Sequence, residues 1–154
     1  MPDSSHLKRL AVVWPEHPLY FVTVCLNERR NFLAAPATHL ILREEFAGLR
    51  PRHGWSVGRY VVMPDHVHFF VAPSPATAKT LSEAVGRWKE WTAKRIVRLQ
   101  DATAPLWQPA FFDHVLRSDE SRSEKWRYVR ENPVRAGLVA RCEDWPYAGS
   151  VDFE

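Results

Sequence analysis

Apolar positions along the chain follow two spacings, which predict alternating strands and helices. Short β-branched and aromatic runs, typical of strands, occupy residues 19–25, 55–63, 66–72 and 111–116. Helical spacing covers residues 38–49, a long segment from Thr77 or Thr80 to about residue 99, and a late segment from residue 119 to just before Pro133. This order predicts an α+β, ferredoxin-like split β-α-β fold. We expect a four-stranded antiparallel sheet with helices on one face, followed by the late helix.

Polar residues and prolines mark the expected ends of these elements. Thr38 is a candidate N-cap of the first helix and Pro51 its stop, while Asp119 is a candidate cap of the late helix. Residues 1–18 are polar and interrupted by prolines, which predicts an irregular arm. Residues 140–154 are expected to form an irregular tail. The whole chain, residues 1–154, is interpreted as a single domain.

Composition fits one folded domain without a membrane or secretion signal. The chain has 154 residues, of which 45% are hydrophobic, enough for one substantial core. Its apolar runs are far shorter than a bilayer span, and the N-terminus has no apolar segment of the signal-peptide kind. Cys25 and Cys142 are isolated thiols without metal-type spacing, which favours a reducing, cytoplasmic setting.

Basic residues are concentrated in two segments, although the formal net charge is only +3. Residues 79–98 contain six basic residues against two acidic ones, and residues 117–135 contain six against four. Such segments suit a phosphate-binding surface, but they are also typical of ordinary solvated helix faces. Trp88 and Trp91 lie among the first set of cations. They could stack on single-stranded bases or pack in the core, and we expect at least one to be core.

Two histidines share one predicted strand, in the run Tyr60-Val-Val-Met-Pro-Asp-His-Val-His-Phe-Phe-Val71. Side chains alternate between the faces of a strand, so His66 and His68 should project from one face and Val67 from the other. Two imidazoles on one rigid surface can hold a single metal ion. The alternative interpretation is a pair of solvated strand histidines that bind nothing.

The late helix contains a tyrosine that does not fit its apolar face. At about 100° per residue, Trp126 and Val129 share one side of the helix, and Tyr128 points well away from it. Asn132 lies one turn further on, so its carboxamide and the phenol are expected to stand together. The alternative is an exposed tyrosine and an unrelated asparagine near the helix end.

The two motifs together resemble a known family. Met63-Pro-Asp-His-Val-His68 and Tyr128-Val-Arg-Glu-Asn-Pro-Val-Arg-Ala-Gly-Leu-Val139 are similar to segments of the single-tyrosine HUH transposases, and most similar to those of the REP-associated tyrosine transposases. The resemblance runs from about residue 20 to residue 150, and it includes the segments 107–117 and 144–150.

The resemblance implies a role for four residues. His66 and His68 match the metal ligands, Tyr128 matches the nucleophile, and Asn132 matches the position of a further polar ligand, although some relatives have glutamine there. The implied cofactor is a divalent ion, Mg²⁺ or Mn²⁺. Asp65 stands where relatives often have asparagine, and we assign no role to it or to His114.

The resemblance also implies a reaction and a substrate. The implied activity is that of a metal-dependent, single-stranded DNA endonuclease and strand transferase, which forms a 5′-phosphotyrosine and a free 3′-OH on palindromic REP-type hairpins. A monomer with its site in one chain is expected, acting on DNA in the bacterial cytoplasm, at the nucleoid, with no membrane partner. The residues expected to contact DNA are Arg87, Lys94, Arg98, Arg127 and Arg130.

Two alternatives of other classes stay open. A non-catalytic nucleic-acid-binding module could use the same ferredoxin-like sheet, but it would not need a phenol beside a metal. A metal-dependent hydrolase that activates water would cut DNA without leaving a covalent protein–DNA adduct.

Overall fold

The computed structural model describes residues 18–154, so only Pro18 of the predicted N-terminal arm falls within it. The strands of this part are β1 (Leu19–Cys25), β2 (Trp55–Val62), β3 (His66–Pro73), β4 (Phe112–Leu116) and β5 (Ala148–Ser150). The α-helices are α1 (Pro36–His53), α2 (Leu81–Gln100), α3 (Asp119–Arg130) and α4 (Asn132–Arg135). Among these described residues, no helix has the length and apolarity needed to cross a bilayer.

The strands form one antiparallel sheet in the order β4-β1-β3-β2-β5. Its first four strands have the predicted ferredoxin-like arrangement, with β3 in the centre. The expectation of an irregular tail is wrong for its middle part, because Ala148–Ser150 pairs with β2 as a fifth strand. Gly149 lies so close to Tyr60 that a Cβ at this position would be 3.1 Å from the phenol oxygen. A strand of three small or polar residues has no alternating pattern that could predict it.

The sheet separates two apolar layers. One layer lies under α1 and α2, where the ring of Phe69 from β3 packs against Phe46 and Trp88. The opposite layer contains Phe70 and is covered by α3, whose Trp126 contacts the Phe70 ring edge-on. Helices α1 and α2 therefore share one face of the sheet, as predicted, and the late helix α3 covers the other face. Because side chains alternate along a strand, the even-numbered residues of β3 face α3.

Three helix ends differ from the sequence prediction. Thr38 is not an N-cap: α1 begins at Pro36, and Thr38 is buried in its first turn. Pro51 does not stop α1, which continues to His53 with Pro51 exposed in the last turn. Ser118, rather than Asp119, caps α3, since its hydroxyl accepts the Ser121 backbone N–H in a reciprocal capping box. Local propensity identified both helices but not the residue at which each begins.

Candidate active site on the central strand

His66 and His68 form a convergent pair on β3. Their Nε2 atoms are 3.1 Å apart and their ring centroids 4.6 Å apart, whereas Val67 between them is fully buried in the opposite layer. The prediction that both imidazoles project from one face is confirmed. The pair lies on the face that α3 covers, at the centre of the sheet.

Each histidine has a partner for its other ring nitrogen. The Nδ1 of His66 is 2.6 Å from Oδ1 of Asp65, and the Nδ1 of His68 is 2.8 Å from the Thr23 hydroxyl on β1. Burial, followed by the effects of the neighbouring His66 and of the Lys125 and Arg135 charges, lowers the pKa of His68 to about 3. His68 is therefore a neutral imidazole at pH 7, which is the form that binds metals.

The spacing of the pair fits two positions of a metal site. Nitrogen ligands at about 2.0–2.1 Å from an ion are roughly 3.0–3.4 Å apart when they are adjacent in its coordination shell. The Nε2–Nε2 distance of 3.1 Å falls in that range. Nowhere in residues 18–154 do three His, Cys, Asp or Glu side chains form a group that could hold an ion by itself. The pair therefore supplies two positions of a metal site, and a full coordination shell needs further ligands.

Tyr128 stands on the outer side of α3. Its neighbour Val129 is buried against the sheet, and Trp126 packs on Phe70, while Tyr128 is 64% exposed. The prediction that Tyr128 points away from the core face is confirmed. The guanidinium of Arg135 lies over its ring, with Cζ 3.9 Å from the ring centroid.

Asn132 is joined to Tyr128 through Arg135. Helix α3 ends at Arg130, so Asn132 belongs to the next short helix and not to a continuous turn after Tyr128. Arg135 donates one hydrogen bond to the backbone carbonyl of Tyr128 and another to Oδ1 of Asn132. Sequence reasoning missed Arg135 as a site residue, because helical periodicity does not extend across the break between the two helices.

The helix that carries Tyr128 is held over the histidine pair of its own chain. The Lys125 ammonium of α3 is 5.2 Å from the centroid of the Phe21 ring. Phe21 is in turn stacked on His68, with centroids 5.1 Å apart. The positive charge of Arg135, which lies against the Tyr128 ring, is also among the causes that lower the pKa of His68.

The residues predicted to contact DNA fall on two faces. Arg127 and Arg130 are exposed on α3, on the histidine side of the sheet, and Arg130 is 3.6 Å from Glu143. The other three, Arg87, Lys94 and Arg98, are exposed on α2, which packs on the opposite face. One short strand of DNA therefore cannot lie against both sets without passing around an edge of the sheet.

A basic groove of about 770 Å³ lies on the side of the α1–α2 layer away from the sheet. Its lining residues are Glu45, Arg52, His53, Lys79, Arg87, Trp91 and Arg95. Of the predicted DNA contacts on α2, Arg87 lines the groove, and Lys94 and Arg98 do not. Glu90 pairs with both Arg87 and Lys94 and so reduces their free charge. Of the two tryptophans, Trp88 is core and Trp91 is 48% exposed, as the sequence allowed.

The comparison with protein families fits this architecture. The family model described as "Transposase IS200 like" matches residues 17–132, and the chain therefore belongs to the IS200-like transposase family. Members of a transposase family cleave and transfer DNA, so this chain belongs to a class of DNA-processing enzymes.

Within that class the chain is similar to a particular kind of transposase. It is 27% identical over 129 residues to the REP-associated tyrosine transposase of Escherichia coli (strain K12). The aligned region covers 84% of this chain and 74% of the relative. A solved REP-associated tyrosine transposase, whose structure contains a bound REP hairpin, superposes with a TM-score of 0.71 at 24% identity. That match covers 85% of this chain and 75% of the solved chain, and it shows that the fold is shared.

Proposed function

We propose that the protein is a metal-dependent, single-stranded DNA endonuclease and strand transferase that uses Tyr128 as its nucleophile. The observation that carries the proposal is an exposed phenol, stacked against Arg135, on the helix that covers two convergent imidazole nitrogens of the same chain. A non-catalytic binding module has no use for this combination.

In the proposed reaction, the Tyr128 oxygen attacks the phosphorus of a phosphodiester in line with the 3′-oxygen. A bond forms between Oη and phosphorus, and the bond between phosphorus and the 3′-oxygen breaks. The tyrosine proton is lost and the leaving 3′-oxygen gains one, which yields a 5′-phosphotyrosine and a free 3′-OH. Because one phosphoester replaces another, the reverse step can join a strand at the same site.

The side chains of this chain have distinct tasks in that reaction. His66 and His68 would hold the ion through their Nε2 atoms, and Asn132 would supply an oxygen. A divalent ion, Mg²⁺ or Mn²⁺, supplies charge stabilisation and orientation of the phosphate oxygens when bound. Arg135, against the face of the Tyr128 ring, would stabilise the negative charge that develops on the phenolate and the phosphate.

The proposed substrate is single-stranded DNA with a hairpin. The E. coli relative is a REP-associated tyrosine transposase, and the solved relative is bound to a REP hairpin. We assign the strand near the cleaved bond to the α3 face, where Arg127 lies. The basic groove on the opposite face is assigned to DNA outside the cleaved segment, since backbone phosphates are held by Lys and Arg whatever the sequence.

The test is covalent trapping of labelled DNA. Wild-type protein is incubated with Mn²⁺ and a single-stranded hairpin that carries a labelled 3′ segment, and products are separated on a denaturing gel. The expected result is a protein–DNA adduct that Tyr128→Phe abolishes and the control Tyr147→Phe retains. Cleavage without any adduct would instead support a hydrolase, and binding without cleavage would support a non-catalytic module.

A further inference from the structure

We propose that Asp65 and Thr23 are positioning residues that fix the histidine pair, each by holding one Nδ1 atom, and that Arg29 holds Asp65 in turn. This inference rests on the proposed function, since it concerns the orientation of the proposed metal ligands. It gives roles to Asp65, Thr23 and Arg29, none of which is among the proposed metal ligands. The two contacts are unlike: His66 is held by a carboxylate and His68 by a neutral hydroxyl.

Asp65 uses both carboxylate oxygens in these contacts. Its Oδ1 is 2.6 Å from the His66 Nδ1, and its Oδ2 accepts from Nη2 and Nε of Arg29 at 2.7 and 3.0 Å. A carboxylate beside Nδ1 accepts a hydrogen bond from Nδ1–H. This favours the tautomer with its proton on Nδ1 and its lone pair on Nε2. Because Nδ1 and Nε2 lie on different sides of the ring, Asp65 orients His66 and does not itself approach the point where the two Nε2 atoms meet.

The backbone that presents Arg29 is specialised for this contact. A short 3-10 turn, Asn27–Arg29, follows β1, and within it Glu28 and Arg29 both have positive φ, 60° and 51°. Residues other than glycine adopt this region only where the surrounding structure requires it, often at functional sites. The neighbouring Leu26 N–H donates to the Asp65 carbonyl at 2.9 Å, so the turn and the Pro64–Asp65 bend are bonded directly to each other.

Thr23 holds the second histidine from a different strand. It lies directly opposite His68 in the antiparallel register of β1 and β3, and its hydroxyl is 2.8 Å from the His68 Nδ1. In the tautomer that donates Nδ1–H to this hydroxyl, which is the form a metal ligand at Nε2 needs, His68 also has its lone pair on Nε2. Phe21, on the same face of β1, stacks on the ring and limits its rotation. The two histidines are therefore oriented by independent contacts that converge on one 3.1 Å gap.

The two anchors should have different electronic effects. Hydrogen bonding to a carboxylate raises the electron density of an imidazole and makes it a stronger metal ligand, whereas a neutral hydroxyl mainly fixes its orientation. Asp65→Asn is the informative variant, because an amide oxygen can still accept the His66 Nδ1–H but has no charge. Thr23→Val removes the hydroxyl at nearly constant volume, and Thr23→Ser restores it.

The experiment measures Mn²⁺ affinity by calorimetry and histidine tautomers by ¹⁵N NMR of the metal-free protein. Asp65→Asn should weaken Mn²⁺ binding about 10-fold while His66 keeps its tautomer. Asp65→Ala should weaken binding about 100-fold, and the His66 tautomers should mix. Thr23→Val should mix the His68 tautomers and weaken binding, and Thr23→Ser should restore both. The control is Asp113→Asn, which changes a carboxylate on β4 paired with Val22, on the other face of the sheet.

The outcomes separate this inference from the proposed function. If wild-type protein binds Mn²⁺ and the Asp65 and Thr23 variants match it in both affinity and tautomers, the positioning roles are overturned and the metal site stands. If wild-type protein binds no Mn²⁺ but shows the two ordered tautomers that the variants lose, the metal site is overturned and the orienting contacts stand. Thermal unfolding of each variant identifies any that fail to fold. If Asp65→Ala or Thr23→Val does not fold, the conservative variants Asp65→Asn and Thr23→Ser are compared with wild type instead.

Discussion

The guanidinium of Arg135 covers the face of Tyr128, with Cζ 3.9 Å from the ring centroid and a hydrogen bond from Nη2 to the tyrosine's own carbonyl. The same Nη2 donates to Asn132 Oδ1, and the Arg135 charge contributes to the lowered pKa of His68. Arg135 thus contacts both the proposed nucleophile and the proposed oxygen ligand. The phenol would react beside a cation whose position is fixed by three contacts.

Arg135→Ala should reduce the rate of adduct formation by about 10²–10³-fold, the cost typical of removing one hydrogen-bond donor that stabilises a developing negative charge. Arg135→Lys should recover only part of that loss, since an ammonium restores the charge without the flat stacking surface. The measurement is single-turnover trapping of labelled hairpin DNA. Arg141→Lys, at an exposed arginine beyond α4, is the control, and equal rates for Arg135→Ala and wild type would exclude the role.

His66→Ala and His68→Ala should each remove most of the cleavage activity, and the double variant should lose little more, because the two imidazoles act as one unit. EDTA should abolish cleavage by wild-type protein, and Mn²⁺ or Mg²⁺ should restore it. His114→Ala is a matched control. His114 lies on β4, opposite Phe21 of β1, on the same face of the sheet as the histidine pair but outside that pair. Cleavage that survives both EDTA and the double substitution would contradict a metal site.

Tyr128→Phe protein mixed with the His66→Ala/His68→Ala protein should stay inactive. The reason is that α3 packs on the sheet of its own chain, where Lys125 lies over Phe21 and Phe21 stacks on His68, so each chain is expected to hold a complete site. The assay is the same adduct gel, with size-exclusion chromatography of each protein as a companion measurement. Recovery of cleavage by the mixture would show that two chains share a site, and would overturn the monomer prediction.

Arg87→Glu should weaken binding of hairpin DNA and reduce its dependence on salt, because Arg87 lines the basic groove beside the exposed Trp91. Arg98→Glu should have a smaller effect, since Arg98 does not line the groove. Arg50→Glu, at an exposed position near the end of α1, controls for overall charge. Binding is measured by fluorescence anisotropy over a series of salt concentrations. Equal losses for all three variants would indicate a general charge effect and not a defined surface.

The stability of the protein should fall as the pH drops below about 6.5, the ordinary pKa of histidine, in part because of His39. Burial, followed by the Arg43 charge, lowers the pKa of His39, whose Nε2 is 2.7 Å from the Tyr60 hydroxyl. The unfolded chain therefore takes up this proton at a higher pH than the folded chain does. The stabilising contribution is fully present above the unfolded pKa and is lost as the pH falls towards and through the lowered folded pKa.

The variant that isolates this contribution is His39→Gln, which keeps an acceptor for Tyr60 but cannot be protonated. Urea unfolding at pH 7.5 and pH 5.5 should show a smaller loss of unfolding free energy for His39→Gln than for wild type. An equal loss in the two proteins would assign the acid sensitivity to other groups, among them His53, whose pKa is also lowered by burial.

Local features of the sequence were sufficient to predict the main strands and helices, the shared face of the two histidines and the exposed side of Tyr128. The strands at residues 19–25 and 66–72 and the long helix were predicted because their apolar residues repeat with the period of each structure. The same-face placement of His66 and His68 follows from the period of a strand, and the exposure of Tyr128 from the period of a helix. Each of these depends only on residues close together in the chain.

The tertiary structure decided which residues complete the site. Thr23 meets His68 across 45 positions of sequence, Arg29 meets Asp65 across 36, and β5 joins β2 through a segment too short and small to show a pattern. Arg135 meets Tyr128 from the next helix, α4, after α3 has ended at Arg130. Such contacts depend on strand register, on the turn at Glu28 and Arg29, and on packing between layers. Local periodicity carries no information about these, because they are fixed by the energy of the whole folded chain.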